Sequence, residues 1–114
     1  MELSVSHQSV GGHPVVSVSG EVDVYSAPAL RESLTELFTS GVDTVVVDLT
    51  EVAFLDSTGL GALVEARATT TDAGGSLPLV CNQDRILKLF AITGLDSVFA
   101  IHPTIDEAVA ALSA

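Results

Sequence analysis

Apolar and polar residues alternate at the start of the chain, and this pattern predicts two half-buried strands. Leu3, Val5 and His7 share one face of the first strand, and residues 15–19 repeat the alternation. Gly11-Gly12 separates the two segments and is typical of a tight turn. We therefore expect the chain to open with a β-hairpin.

The spacing of apolar residues then changes to the helical period. Leu30, Leu34, Leu37 and Phe38 form one stripe of an amphipathic helix. Ser26 is the predicted N-cap of this helix, because its side chain can accept a hydrogen bond from a free backbone N–H. The hairpin is thus followed by a first helix.

Three more helices are predicted further along the chain. The second spans 57–72, the third spans 84–92, and the last follows the T-x-x-E capping box of Thr104 and Glu107. The side chains expected on the buried face of the second helix are Leu60, Leu63, Val64 and Ala68.

Three apolar runs between these helices predict further strands. Residues 44–49 are rich in valine and indicate a central strand buried on both faces, and 77–81 and 98–101 are shorter. The order ββαβαβαβα predicts a single α/β domain over 1–114, with a mixed, mostly parallel sheet, an N-terminal hairpin and about four helices.

Charge and composition restrict the possible partners. The chain has 15 acidic and 4 basic residues, so its formal net charge of -11 argues against binding to nucleic acid or to an anionic membrane. It favours a protein partner with a basic or mixed patch, although acidity can also serve solubility alone. No secretion signal or membrane-spanning run is apparent, and the single cysteine cannot form an intramolecular disulfide. We expect a cytoplasmic protein.

The most distinctive candidate site is the turn at the start of the second helix. Asp56 or Ser57 can cap the helix, and the positive end of the helix dipole there tolerates a phosphate. Gly59 and Gly61 remove side-chain bulk, so that a partner could approach the backbone. Ser57 is expected to be exposed and phosphorylatable. The alternative is an ordinary strand-to-helix cap.

A second candidate is the loop before the first helix. It carries two carboxylates, Glu21 and Asp23, an isolated aromatic residue, Tyr25, and the capping Ser26. If its strand ends beside the strand that leads to Ser57, the loop would form a recognition lip at the same site. The alternative is a solvated acidic loop.

The motifs of common enzymes are not found. The segment Leu55–Gly59 does not match G-x-S-x-G, no P-loop occurs, and His7, His13 and His102 are scattered. We predict a protein that is not an enzyme and has no cofactor or metal. A Ser/His/Asp set assembled in space stays possible from sequence.

Several segments together resemble the STAS-domain anti-sigma factor antagonists. They are, in chain order, G-E-V-D at 20–23, A-P-A-L at 27–30, D-L-T at 48–50, F-L-D-S-T-G-L-G at 54–61 and L-F with T-G-L-D at 89–96. This resemblance covers nearly the whole chain. It implies a partner switch in which the unmodified protein binds an anti-sigma factor serine kinase and frees the sigma factor.

The same resemblance assigns roles to residues and partners. It places the phosphoacceptor at Ser57, an adjacent hydroxyl at Thr58 and acidic neighbours at Asp23 and Asp56. A PPM-type serine phosphatase would restore the binding form, and a monomer is expected. The residues predicted to contact the partner are Glu21, Asp23, Tyr25, Ser26, Asp56, Thr58, Gly59, Leu60 and Gly61.

Other interpretations remain open at this stage. A STAS module can instead belong to another signalling or transport complex. A nucleotide-binding module would need clustered basic residues, whereas Arg31, Arg67, Arg85 and Lys88 are few and dispersed. A hydrolase is the third alternative.

Overall fold

The computed structural model describes residues 3–113, which form one five-stranded sheet with four α-helices. The strands are β1 (Leu3–Val10), β2 (His13–Val22), β3 (Val46–Leu55), β4 (Leu79–Val80) and β5 (Ile101–His102). The helices are α1 (Ala27–Thr39), α2 (Ser57–Asp72), α3 (Asp84–Ile92) and α4 (Ile105–Leu112), and a short 3-10 helix spans Leu95–Ser97.

The sheet has the mixed topology that the sequence predicts. Its strand order is β1-β2-β3-β4-β5, with β1 antiparallel to β2 and all other pairs parallel. Gly11 and Gly12 have φ of 58° and 81° in the hairpin turn, a region that favours glycine. The predicted α/β class, the hairpin and the central position of the 44–49 segment are confirmed.

Two cores lie on opposite faces of the sheet. The larger packs α1, α2 and α3 against one face and includes Leu30, Leu63 and Phe90, which are fully buried. The smaller packs Ala108 and Val109 of α4 against the other face. Because the sheet is covered on both faces, the adjacent Val46 and Val47 at the start of β3 are both fully buried, one in each core.

The predicted bounds of α2 and α3 are confirmed, but the predicted buried face of α2 is wrong in part. Leu60 and Leu63 are buried as predicted, whereas Val64 and Ala68 are exposed. The helix instead buries small residues such as Ala62 and Ala66, because it lies close to the sheet and to α1.

The predicted final strand is present, but its predicted bounds of 98–101 are wrong. Val98 follows the 3-10 helix, and only Ile101 and His102 pair with β4. Phe99 is buried from a loop and meets Phe90 edge-on, with ring centroids 5.9 Å apart. Its apolar character reflects core packing rather than strand formation.

Within residues 3–113, no helix is long and apolar enough to cross a membrane.

Candidate functional site

The two candidate loops meet at the carboxyl ends of neighbouring strands. Val22 pairs with Leu55 at the end of the parallel β2–β3 ladder. The Asp56 N–H then donates to the Val22 carbonyl at 3.2 Å, which joins the turn before α2 to the loop before α1. The condition set by the sequence analysis, that the two strand ends are neighbours in the sheet, is therefore met.

Asp56 is the cap of α2. Its backbone is extended, and its Oδ1 accepts hydrogen bonds from the N–H groups of Thr58 at 2.9 Å and Gly59 at 3.1 Å. These are two of the four N–H groups that a helix leaves unpaired at its start. Asp56 thus fixes the direction in which the helix begins.

Ser57 is the first residue of α2 and is exposed. Because Asp56 supplies the cap, the Ser57 side chain is not needed to begin the helix. Ser57 lies at the carboxyl end of β3, beside the end of β2, where both loops begin. Thr58, the next hydroxyl along the chain, is only half-exposed.

The glycines of this turn have different surroundings. A Cβ on Gly59 would lie 2.5 Å from Leu55 Cδ1 and 2.7 Å from Val22 Cγ1, so the residue is glycine because the helix presses on the sheet. A Cβ on Gly61 would meet nothing within 4 Å. The expectation that Gly59 opens space for a partner is wrong, and only Gly61 offers that space.

Leu60 also departs from the prediction. Only 6% of the residue is exposed, and it belongs to the large core. With Gly59 also buried, neither residue presents a surface to a partner.

The loop before α1 is held by its own side chains. Asp23 Oδ1 accepts from the N–H groups of Tyr25 and Ser26, each at 2.9 Å. The backbone N–H of Ser26 is the main cause of a lowered pKa for the Asp23 carboxyl, and the N–H of Tyr25 adds to the effect. The ionised Asp23 carboxylate therefore stabilises the loop through these two hydrogen bonds.

Ser26 occupies the N-cap position of α1 without capping it through its side chain. Its Oγ accepts from the Asp23 N–H at 2.9 Å and donates to the Glu21 carbonyl at 2.7 Å. The predicted capping bond is thus replaced by a closed turn over residues 21–26.

Three exposed large side chains lie on the loop before α1 or at the end of β3. Tyr25 is 90% exposed, Val24 57% and Phe54 47%. We call these three residues the apolar flank. Clusters of exposed apolar side chains on a small protein mark candidate interaction surfaces. Sequence reasoning named Tyr25 but left out Val24 and Phe54, because apolar residues at strand ends are expected to be buried.

Charge at the site is acidic. Glu21 lies near the end of β2, Asp23 and Asp56 lie on the two loops, and no lysine or arginine occurs in 20–26 or 53–61. Arg31, on α1, is paired with Glu65 of α2 at 2.7 Å. A phosphate on Ser57 would therefore find no cation on its own loop.

Two side chains from α3 reach the strand that carries the site, and sequence reasoning missed both. Gln83 Nε2 lies within hydrogen-bond distance of the Leu49, Thr50 and Val52 carbonyls. Arg85 donates to the Ala53 carbonyl. Only the fold brings residues 83–85 beside 49–53, so no sequence signal could have identified them.

Comparison with known proteins identifies the family of this chain. The STAS domain family model matches residues 4–108. The chain is 44% identical to the anti-sigma-B factor antagonist of Bacillus subtilis over 75% of its length and 78% of that protein. It is 38% identical to the anti-sigma-B factor antagonist of Staphylococcus aureus over 90% of its length and 94% of that protein.

A solved structure gives the same result at the level of the fold. The crystal structure of an anti-sigma factor antagonist from Mycobacterium paratuberculosis superimposes with a TM-score of 0.88 at 30% identity, covering 99% of this chain and 96% of that one. All three similar proteins are named as anti-sigma factor antagonists. The chain therefore belongs to the STAS-domain family of anti-sigma factor antagonists.

Proposed function

We propose that the unphosphorylated protein binds an anti-sigma factor that is a serine kinase, and so releases a sigma factor, and that phosphorylation of Ser57 ends this binding. The observation that carries the proposal is the exposed Ser57 at the first position of α2, beside an apolar flank. The names of the relatives support the choice of an anti-sigma factor as partner.

In this proposal the apolar flank supplies the affinity for the partner. Aromatic side chains dominate the binding energy of many protein interfaces, and two of them are exposed here: Tyr25 on the loop before α1 and Phe54 near the end of β3, just before the Ser57 turn. Glu21 and Asp23 would form an acidic rim. The partner should therefore present apolar pockets with basic residues around them.

The same geometry explains how a phosphate could break the contact. Asp56 already bonds the N–H groups of Thr58 and Gly59, so the helix start has two fewer donors for a phosphate. A phosphate adds about 1.5 to 2 negative charges. Burying such a charge unpaired costs several kcal/mol, and about 1.4 kcal/mol is tenfold in affinity. Release needs no change of fold.

The complete cycle also requires removal of the phosphate, for which we propose a PPM-type serine phosphatase. Ser57 is exposed enough for a second enzyme to reach it. In this proposal the protein acts in the cytoplasm as a monomer and is a substrate of enzymes rather than an enzyme itself. Neither a cofactor nor nucleic acid nor a membrane takes part.

The test is to incubate the protein with candidate cognate kinases and ATP, locate the phosphate by mass spectrometry, and measure binding by calorimetry. We expect a single phosphate on Ser57, lasting binding by Ser57→Ala, and binding by Ser57→Asp that is weaker by tenfold or more. An acidic residue suits the first turn of a helix, so Ser57→Asp should fold normally.

Ser40 provides a matched control, because it is an exposed serine at the C-terminal end of α1, whereas the candidate site lies at the N-terminal end of that helix. Ser40→Ala should be phosphorylated and bound like wild type. Modification of Thr58 in Ser57→Ala, or full-strength binding by Ser57→Asp, would show that the charge on Ser57 is not the switch.

A further inference from the structure

The strand that leads to Ser57 is longer than its neighbour. β3 runs to Leu55, but β4 pairs with it only at Val47 and Asp48. From Leu49 onward, one edge of β3 has no strand beside it, and unpaired backbone groups are costly when they are not exposed to water. Other groups must bind this edge.

The pairing on the opposite side of β3 is irregular. Its register with β2 shifts between Ser17 and Ser19 and again between Gly20 and Glu21, each time with an additional residue on β3. Such bulges interrupt the ladder and bend the strand. The ladder between β2 and β3 is therefore interrupted twice along the second half of β3.

Gln83 binds the open edge. Its Nε2 lies 2.6 Å from the Thr50 carbonyl, 2.9 Å from the Val52 carbonyl and 3.3 Å from the Leu49 carbonyl. Arg85 extends the same row to the Ala53 carbonyl. Every acceptor in this row is a backbone carbonyl, so the arrangement requires donors.

The position of Gln83 shows what its side chain is used for. It stands at the N-cap of α3, where serine, threonine, aspartate or asparagine usually accepts a bond from the helix, and it forms no such bond. α3 therefore lacks a side-chain cap, and the Gln83 side-chain amide instead binds the carbonyls of β3.

We propose that Gln83, assisted by Arg85, is the positioning residue of the Ser57 turn. By taking the place of the missing strand along Leu49–Ala53, it fixes the end of β3 and so the orientation of Phe54 and Ser57. The effect on partner binding rests on the proposed function, whereas the effect on β3 does not.

Substitutions of Gln83 that keep its length separate donation from packing. Gln83→Met removes the donor, Gln83→Glu replaces it with acceptor oxygens, and Gln83→Lys keeps a donor. Asn82→Ala is the matched control, because Asn82 is the adjacent amide but donates to the Pro103 carbonyl at the start of α4.

Hydrogen exchange of the isolated chain is the first measurement. In Gln83→Met and Gln83→Glu we expect the amides of residues 52–57 to exchange about tenfold faster or more, with wild-type rates in β1 and α4. Gln83→Lys should restore the protection. Unchanged rates at 52–57, or an equal increase across the whole chain, would overturn the proposal.

Binding of the anti-sigma factor is the second measurement. Gln83→Met and Gln83→Glu should weaken it by about tenfold, while Asn82→Ala and Gln83→Lys retain it. Equal binding by Gln83→Met and wild type would overturn the link to the site. A wild-type protein that binds no anti-sigma factor refutes the proposed function alone, because the exchange measurement still decides the role of Gln83.

Discussion

Individual residues at this site are constrained by different neighbours, although they belong to one short motif. Asp56 bonds the start of α2, Ser57 is exposed, and Gly59 faces Leu55 and Val22. The roles within the motif are therefore divided between a cap, an exposed hydroxyl and a packing contact. Substitution can separate these roles.

The two glycines of the motif should respond in opposite ways to the same change. Gly59→Ala places a Cβ against Val22 and Leu55, so we expect a loss of about 1–3 kcal/mol in the free energy of unfolding. Gly61→Ala meets nothing and should gain up to about 1 kcal/mol from helix propensity. Urea denaturation measures both, and a stable Gly59→Ala would contradict the close contact.

Asp23 should show its role in a pH titration. Its carboxyl has a lowered pKa because the Ser26 N–H donates to the ionised form, so this bond is present above the usual range of aspartate and is lost as the pH falls through the lowered pKa. We expect the amide proton shifts of Tyr25 and Ser26 to titrate below that usual range. In Asp23→Asn the same shifts should not titrate there.

At the level of the elements, α2 presents a buried face made partly of small residues. Leu63 is fully buried and Val64 is 39% exposed, although both are apolar and adjacent. The helical period alone placed Val64 in the core. Its exposure follows from the close packing of α2 on α1 and the sheet, through residues such as Ala62 and Ala66.

This assignment can be tested by truncation. Leu63→Ala should lower the free energy of unfolding by about 2–5 kcal/mol, because it leaves a cavity in the large core. Val64→Ala should change it by no more than about 0.5 kcal/mol. If chemical denaturation gave similar losses of unfolding free energy for both variants, this would contradict the observed orientation of α2, with Leu63 buried and Val64 exposed.

The whole molecule carries a formal net charge of -11, and the one salt bridge among residues 3–113 is Arg31–Glu65. Repulsion between carboxylates therefore opposes the compact state, with little attraction to offset it. Added salt screens this repulsion.

Thermal unfolding should reflect this imbalance. We expect the Tm to rise by a few degrees as NaCl is increased from low concentration to about 0.15 M, where the screening length is about 8 Å. Glu32 and Glu36 are both exposed on α1. The double variant Glu32→Gln, Glu36→Gln should have a higher Tm at low salt, and its Tm should change less as NaCl is added. A Tm that falls with salt would show that attractive pairs dominate.

Much of this structure could be predicted from the sequence. The order of elements, the bounds of α2 and α3, the N-cap at Thr104 and the exposed Ser57 follow from apolar periodicity and capping chemistry, which act between residues a few positions apart. The motif at 54–61 also indicated the family.

Only the tertiary structure decided the remaining features. The burial of Gly59, the exposure of Phe54, the strand at 101–102 in place of 98–101 and the bonds from Gln83 to β3 all depend on contacts between segments distant in sequence. A local pattern reports the preferences of neighbouring residues, whereas these outcomes depend on which surfaces the folded chain brings together.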